Sequence, residues 1–119
     1  KNYSVKELSF NEPNAAARLK NGDFSKEINE FKTKSSDYLL IDFGNMKEVF
    51  DVWEFVSQIG LLIKTPVIIK SESPEIIDKF LRYYPGKAGV VLSENTKMSV
   101  LQLKHYGALI VNSDLEPIE

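Results

Sequence analysis

The chain of 119 residues contains no cysteine. Disulfides, thiolate metal centres and cysteine nucleophiles are therefore excluded. Histidine occurs once, at His105, so a site built on paired histidines cannot form. A serine–histidine hydrolase would have to recruit that residue, yet it lies in the helical run KMSVLQLKHYG with no nucleophile elbow beside it. The helix dipole favours a histidine at a helix C-terminus, which accounts for His105 without catalysis. Glycine is scattered: NGD, FGN and PGK stand apart and GxxxxGK[ST] is absent, so no phosphate loop is expected. No apolar run approaches the ~20 residues that cross a bilayer. The opening KNYSVKEL is polar and alternating, unlike a secretory leader. A net charge of −2 exerts no broad pull on nucleic acid or anionic lipid. The expectation is a cytoplasmic protein with no metal, no membrane and no nucleic-acid partner. Because it starts at Lys1 rather than Met, the chain reads as a piece of something longer.

The composition, 43% hydrophobic and 27% charged, suits one globular domain with a single core. Four apolar strands stand out: YLLIDF (38–43), PVIIK (66–70), AGVVLS (88–93) and ALIVN (108–112). VKELSF (5–10) alternates and reads as a weaker edge strand. The four stronger strands are nearly continuous in apolar residues, the pattern of a parallel sheet covered on both faces. Helical spacing fills the gaps. Over 46–62 it places Val49, Val52, Trp53, Val56 and Ile59 on one stripe, with Phe50 and Phe55 beside it. That arc is wider than one sheet face requires, so it implies either deeper burial or an exposed contact surface. Over 74–84 the stripe is Ile76, Ile77, Phe80, Leu81 and Tyr84, opened by Ser73 as N-cap and Pro74 at the first helical position. Over 97–106 it is Met98, Leu101 and Tyr106, closed by Gly107. PNAAARLK and FSKEINEFKTK give two short helices, or one broken at Asn21-Gly22. Alternating β and α elements with right-handed crossovers predict an α/β fold: a parallel sheet of about five strands, flavodoxin-like or a partial TIM barrel.

Ligands of such folds bind outside the carboxyl ends of the strands. Here those ends are Asn11-Glu12-Pro13-Asn14, Asp42-Phe43-Gly44-Asn45, Lys70-Ser71-Glu72-Ser73, Ser93-Glu94-Asn95 and Asn112-Ser113-Asp114. The carboxylates Glu12, Asp42, Glu72, Glu94 and Asp114 could supply an acid–base pair, but spacing alone selects no two of them. Helix caps and turns also select Ser, Asn and Asp by themselves, which accounts for each cluster without a ligand.

The string SPEIIDKFLRYYPGKAGVVLSEN resembles a segment of the pterin-binding domains of cobalamin-dependent methionine synthases and methyltetrahydrofolate:corrinoid methyltransferases. There the pattern runs "IDS", a helix start of D/N-P-E type, "PGK" and "INS". ARLKNGDFSKEINEF resembles the family's "LIKEGDYDEAL", YLLIDFGN its "IIDVN", LKHYGALIVNSD its "YGAAVV" strand, and FNEPN its "GERTN". The resemblance runs from about residue 9 to 116 and implies roughly the first five strands of a TIM barrel. In that barrel methyltetrahydrofolate sits at the strand ends and gives its methyl group to cob(I)alamin. The family aspartate of "IDS" accepts N–H groups of the pterin edge. At the matching position stands Lys70, which has three donors and no acceptor. The asparagine of "INS" is matched by Leu92, the asparagine of "DVN" by Gly44 and the arginine of "GERTN" by Pro13.

The resemblance therefore implies a non-catalytic accessory or interaction domain derived from the methyltransferase fold. Its expected partners are other domains of a parent protein or a corrinoid protein, and an open parallel edge would favour a homo-oligomer. The alternative is a divergent methyltransferase component that holds a tetrahydrofolate derivative or another anionic ligand. Its residues would be Glu12, Asn14, Asp42, Asn45, Lys70, Ser71, Ser93, Asn95 and Asp114. Lys70 has a plainer expectation as well, an ion pair with Glu72 or Glu94. A receiver-like signalling domain is a third class, although Lys70 stands where its phosphoaccepting aspartate belongs.

Overall fold

The computed structural model describes residues 4–10, 14–33, 36–46, 50–60, 63 and 65–118, without the side chains of 31–33. Five strands alternate with five helices. They are β1 (Val5–Ser9), α1 (Ala15–Lys20), α2 (Ser25–Thr33), β2 (Tyr38–Gly44), α3 (Val52–Ile59), β3 (Val67–Ser71), α4 (Pro74–Tyr83), β4 (Ala88–Val91), α5 (Val100–His105) and β5 (Leu109–Val111). The sheet is wholly parallel, with spatial order β1-β2-β3-β4-β5. A flavodoxin-like or receiver sheet would run 2-1-3-4-5. The observed order is that of consecutive βα units in a barrel wall.

Local chemistry sets the element ends as expected at several points. Ser73 Oγ accepts from Ile76 N at 3.3 Å, with Pro74 opening α4. Gly107 follows α5 at φ 74°. Asn21-Gly22 separates α1 from α2 as two helices, Gly22 taking φ 74°. Asp51 caps α3 (Asp51 Oδ1 to Glu54 N, 2.9 Å), so that helix begins at Val52 rather than at residue 46. Val49 lies outside the described residues.

Every helix lies on one face of the sheet. Leu8, Leu39, Ile41, Phe43, Val67, Ile69, Val90 and Ile110 share one core with Leu19 of α1, Phe55 of α3, Ile77 of α4 and Leu103 of α5. Phe55 sits at its centre, with its ring edge-on to Phe10, Phe24, Phe43 and Phe50 at centroid distances of 5.2–6.1 Å. The wide arc of α3 is thus explained by burial for Phe50 and Phe55. Trp53 departs from the expected stripe and is 56% exposed. The α5 stripe is also rotated: Leu101 is 79% exposed and Leu103 fully buried, because the capping box of Ser99 and Gln102 starts the helix later than residue 97. One charged pair enters this layer. Arg18 donates to both carboxylate oxygens of Glu27, at 2.7 and 2.8 Å, and Glu27 is only 1% exposed. On the outer surface, Tyr106 Oη and Arg82 both donate to Asp78, and the hydrogen bond from Tyr106 holds the Asp78 carboxyl below its usual range.

The opposite face carries no helix among the described residues, which corrects the expectation of two covered faces. Ile68, Val91 and Val111 are buried there with Tyr38, Leu40 and Leu115 around them. Leu115 belongs to a C-terminal hook. Asn112 Oδ1 accepts from Asp114 N (2.9 Å) and Glu116 N (3.0 Å), and the chain returns antiparallel to β5, bridging Val111 to Pro117 with Ile118 N on Ile110 O at 2.9 Å. The turn holds Leu115 at φ 63°, a left-handed conformation costly for a branched side chain. Continuous apolar strands are thus satisfied by helices on one side and by a short hook on the other. No described helix is long and apolar enough to cross a membrane.

Candidate functional site

A polar cleft of about 580 Å³ opens at the carboxyl ends of β2, β3 and β4. Its lining includes Asp42, Lys70, Ser71, Glu72, Glu94 and Thr96, together with Gly44, Ser93, Asn95 and Ser113. The sheet register explains the centre of this arrangement. Ser9, Asp42 and Lys70 are successive Cα partners across β1, β2 and β3, and strand alternation turns all three side chains to the face away from the helices. Beyond Asp42 the β2–β3 register shifts, so that Gly44, not Phe43, pairs with Ser71. Gly44 takes φ 60° at this bulge, a conformation glycine adopts without strain.

Most hydroxyls of the cleft, and Asp42, are occupied by turn bonds. Gly44 N donates to Asp42 Oδ1 at 2.8 Å, folding the carboxylate back on its own loop. Ser73 N donates to Ser71 Oγ at 3.0 Å. Ser93 N donates to Thr96 Oγ1 at 3.1 Å, and Thr96 Oγ1 donates in turn to Val91 O at 3.2 Å. These are the turn and cap roles that such residues take without any ligand. Lys70 differs. Among the described residues it forms neither an ion pair nor a side-chain hydrogen bond, so the expected partnership with Glu72 or Glu94 is absent. Asp42 is its neighbour across the strands, and Asp42 Oδ1 accepts instead from Gly44 N. The Oγ of Ser9, beside Asp42, is buried without a hydrogen-bond partner.

Of the residues expected at the rim, Asp42, Lys70, Ser71, Ser93 and Asn95 meet in the cleft, joined by Glu72 and Glu94. Asn14, Asn45 and Asp114 do not line it. Asn14 precedes α1 without a side-chain cap bond, and the backbone N–H of Asp114 is part of the C-terminal hook. Glu12, and with it Pro13, lies outside the described residues. Thr96 was not anticipated. Its signal is the polar tetrad Ser93-Glu94-Asn95-Thr96, which closes as a turn with Thr96 N on Ser93 O at 3.0 Å. Leu92 packs against the helix-side core instead of facing the cleft. Among the described residues no group of three or more His, Asp or Glu is placed to hold a metal.

Chemically, the described residues of the cleft offer carboxylate acceptors, one ammonium donor and hydroxyls mostly engaged in turns. Comparison with protein-family models, with curated proteins and with solved structures finds no match.

Proposed function

We propose that this chain is a non-catalytic accessory or interaction domain derived from the pterin-binding methyltransferase fold. It would serve other domains of a parent protein, or a corrinoid protein, in the cytoplasm. The observation that carries this reading is Lys70. The resemblance puts a hydrogen-bond-accepting aspartate at this position, and here an ammonium with no ion pair among the described residues lines the cleft. An ammonium cannot accept the N–H groups of an amino-pyrimidinone edge. Exchanging acceptor for donor costs several kcal/mol of ligand affinity, because the ligand's buried donors then go unmatched. Leu92, at the position of the second ring-reading residue, packs into the core and offers no polar group. The in-order strands behind one helix layer support derivation from a barrel wall. Calorimetric titration of the domain with methyltetrahydrofolate should give no binding heat. Micromolar binding abolished by Asp42→Ala would overturn the proposal.

A divergent methyltransferase component is the second reading, in which the cleft holds a pterin or another anionic ligand. It is favoured by the cleft volume, which falls within the usual range for small-molecule sites, and by an ammonium that makes no ion pair among the described residues. Lys70→Met separates the two: loss of ligand binding supports a site, and unchanged binding returns Lys70 to the surface.

A further inference from the structure

Among the described residues, the charges lining the cleft are three carboxylates, Asp42, Glu72 and Glu94, against the single ammonium of Lys70. A simple anion that approached Lys70 would bring its charge into a region that is already negative, where like charges oppose binding. A simple cation would find acceptors but leave Lys70 unmatched. Lys70 and Asp42 are neighbours in register on β3 and β2, yet they are not paired. Asp42 Oδ1 accepts instead from the N–H of Gly44 at the bulge, at 2.8 Å. The fold thus keeps one positive and one negative group on adjacent strands without a direct ion pair between them. Glu94, which projects from the turn after β4, makes no ion pair or side-chain hydrogen bond of its own among the described residues.

We propose that the cleft binds a small zwitterion of the amino-carboxylate class. The ligand carboxylate would sit on Lys70 Nζ, and its ammonium or guanidinium on Asp42 and Glu94. This inference rests on the second reading above, that the cleft is a ligand site, and replaces its anionic ligand with one that carries both signs. A ligand with one carboxylate and two cationic groups fits best, since it also offsets the third carboxylate. The volume of about 580 Å³ leaves room for such a side chain.

The test uses the full chain and L-arginine as probe, with acetate, inorganic phosphate and butylamine as single-sign controls. Binding is followed by calorimetry and by backbone amide shifts of Lys70, Ser71 and Glu94. Arginine should bind, and each single-sign probe should bind at least ~10-fold more weakly, the worth of one lost charge-assisted hydrogen bond. Lys70→Met should weaken arginine by roughly 10- to 100-fold on the same grounds, and Lys70→Arg should retain it. Glu94→Gln should weaken it without changing the fold, which guards against a Lys70 variant that merely misfolds. Lys79→Met, which breaks the exposed Glu75–Lys79 pair on α4, should leave binding unchanged. Acetate or phosphate binding as well as arginine would leave the cleft a ligand site and overturn the zwitterion. If no probe binds but methyltetrahydrofolate does, the inference falls and the reading beneath it stands; if methyltetrahydrofolate fails as well, both fall.

Discussion

The two faces of the sheet are built on different terms. The helix side is a continuous apolar layer in which Phe55, Phe80, Ile69 and Ile77 are fully enclosed. Its one buried carboxylate, Glu27, is matched by a bidentate arginine. The other side has a smaller apolar group of Ile68, Val91 and Val111, closed by a strained leucine in a hook. Toward the carboxyl ends that side turns polar, and Lys70 there makes no ion pair among the described residues. Burial and full satisfaction on one face give the fold its stability. The other face keeps unmatched groups at a small cost, and such groups are the ones available to a ligand or partner.

Six substitutions would break or sharpen this contrast. Phe55→Ala removes the ring at the centre of the helix-side core and should cost about 3–5 kcal/mol in urea unfolding. A loss of under ~1 kcal/mol would mean the layer is looser than its ring packing implies. Arg18→Ala leaves Glu27 buried without its partner and should cost about 3 kcal/mol. The companion change Glu27→Gln should be milder, because a neutral amide carries no charge into the layer. At the hook, Leu115→Ala loses packing over Ile68 and Val111 while keeping the left-handed backbone, for a loss of about 1–2 kcal/mol. Leu115→Gly relieves that backbone and should be about 1 kcal/mol less damaging than alanine, the reverse of the usual order. Finally, Lys70→Met breaks no ion pair or side-chain hydrogen bond among the described residues and keeps an apolar stem at this half-buried position, so it should shift stability by less than ~0.5 kcal/mol. A drop beyond ~1 kcal/mol would show that Lys70 holds the fold together and would remove the ground for assigning it to a ligand.

The strands and their parallel packing were legible as nearly continuous apolar runs: the helix-covered face imposes Leu39, Ile41 and Phe43, and the apolar group on the other face adds Leu40 and Ile68, although no described helix covers that face. Ser73-Pro74 and Gly107 were legible for a local reason, since each satisfies or ends a helix whatever surrounds it. Two stripes failed at their ends. Trp53 and Leu101 each sit on a short helix whose start is fixed by a side-chain cap, Asp51 or Ser99, and periodicity alone does not weigh that. The hook was invisible: NSDLEPIE has no period, and its path depends on Asn112 bonding to its own backbone. At the cleft, the general site followed from parallel topology, which brings all the strand ends to one rim. Which side chains meet there depended on the bulge at Gly44 and on turns that consume Ser71, Ser93 and Thr96. That Lys70 makes no ion pair among the described residues could not be read, because spacing does not show that Asp42 Oδ1 accepts from Gly44 N.

The antiparallel return at residues 116–118 has a bearing on assembly. A parallel sheet normally presents two raw margins, and either can recruit a stranger's strand. Here the β5 margin is already occupied by the chain itself, in the opposite sense to its neighbours, so further parallel staves cannot be added there while the hook stays in place. Enlargement of the sheet is confined to the β1 margin, where the short charged stretch VKELS discourages indiscriminate pairing.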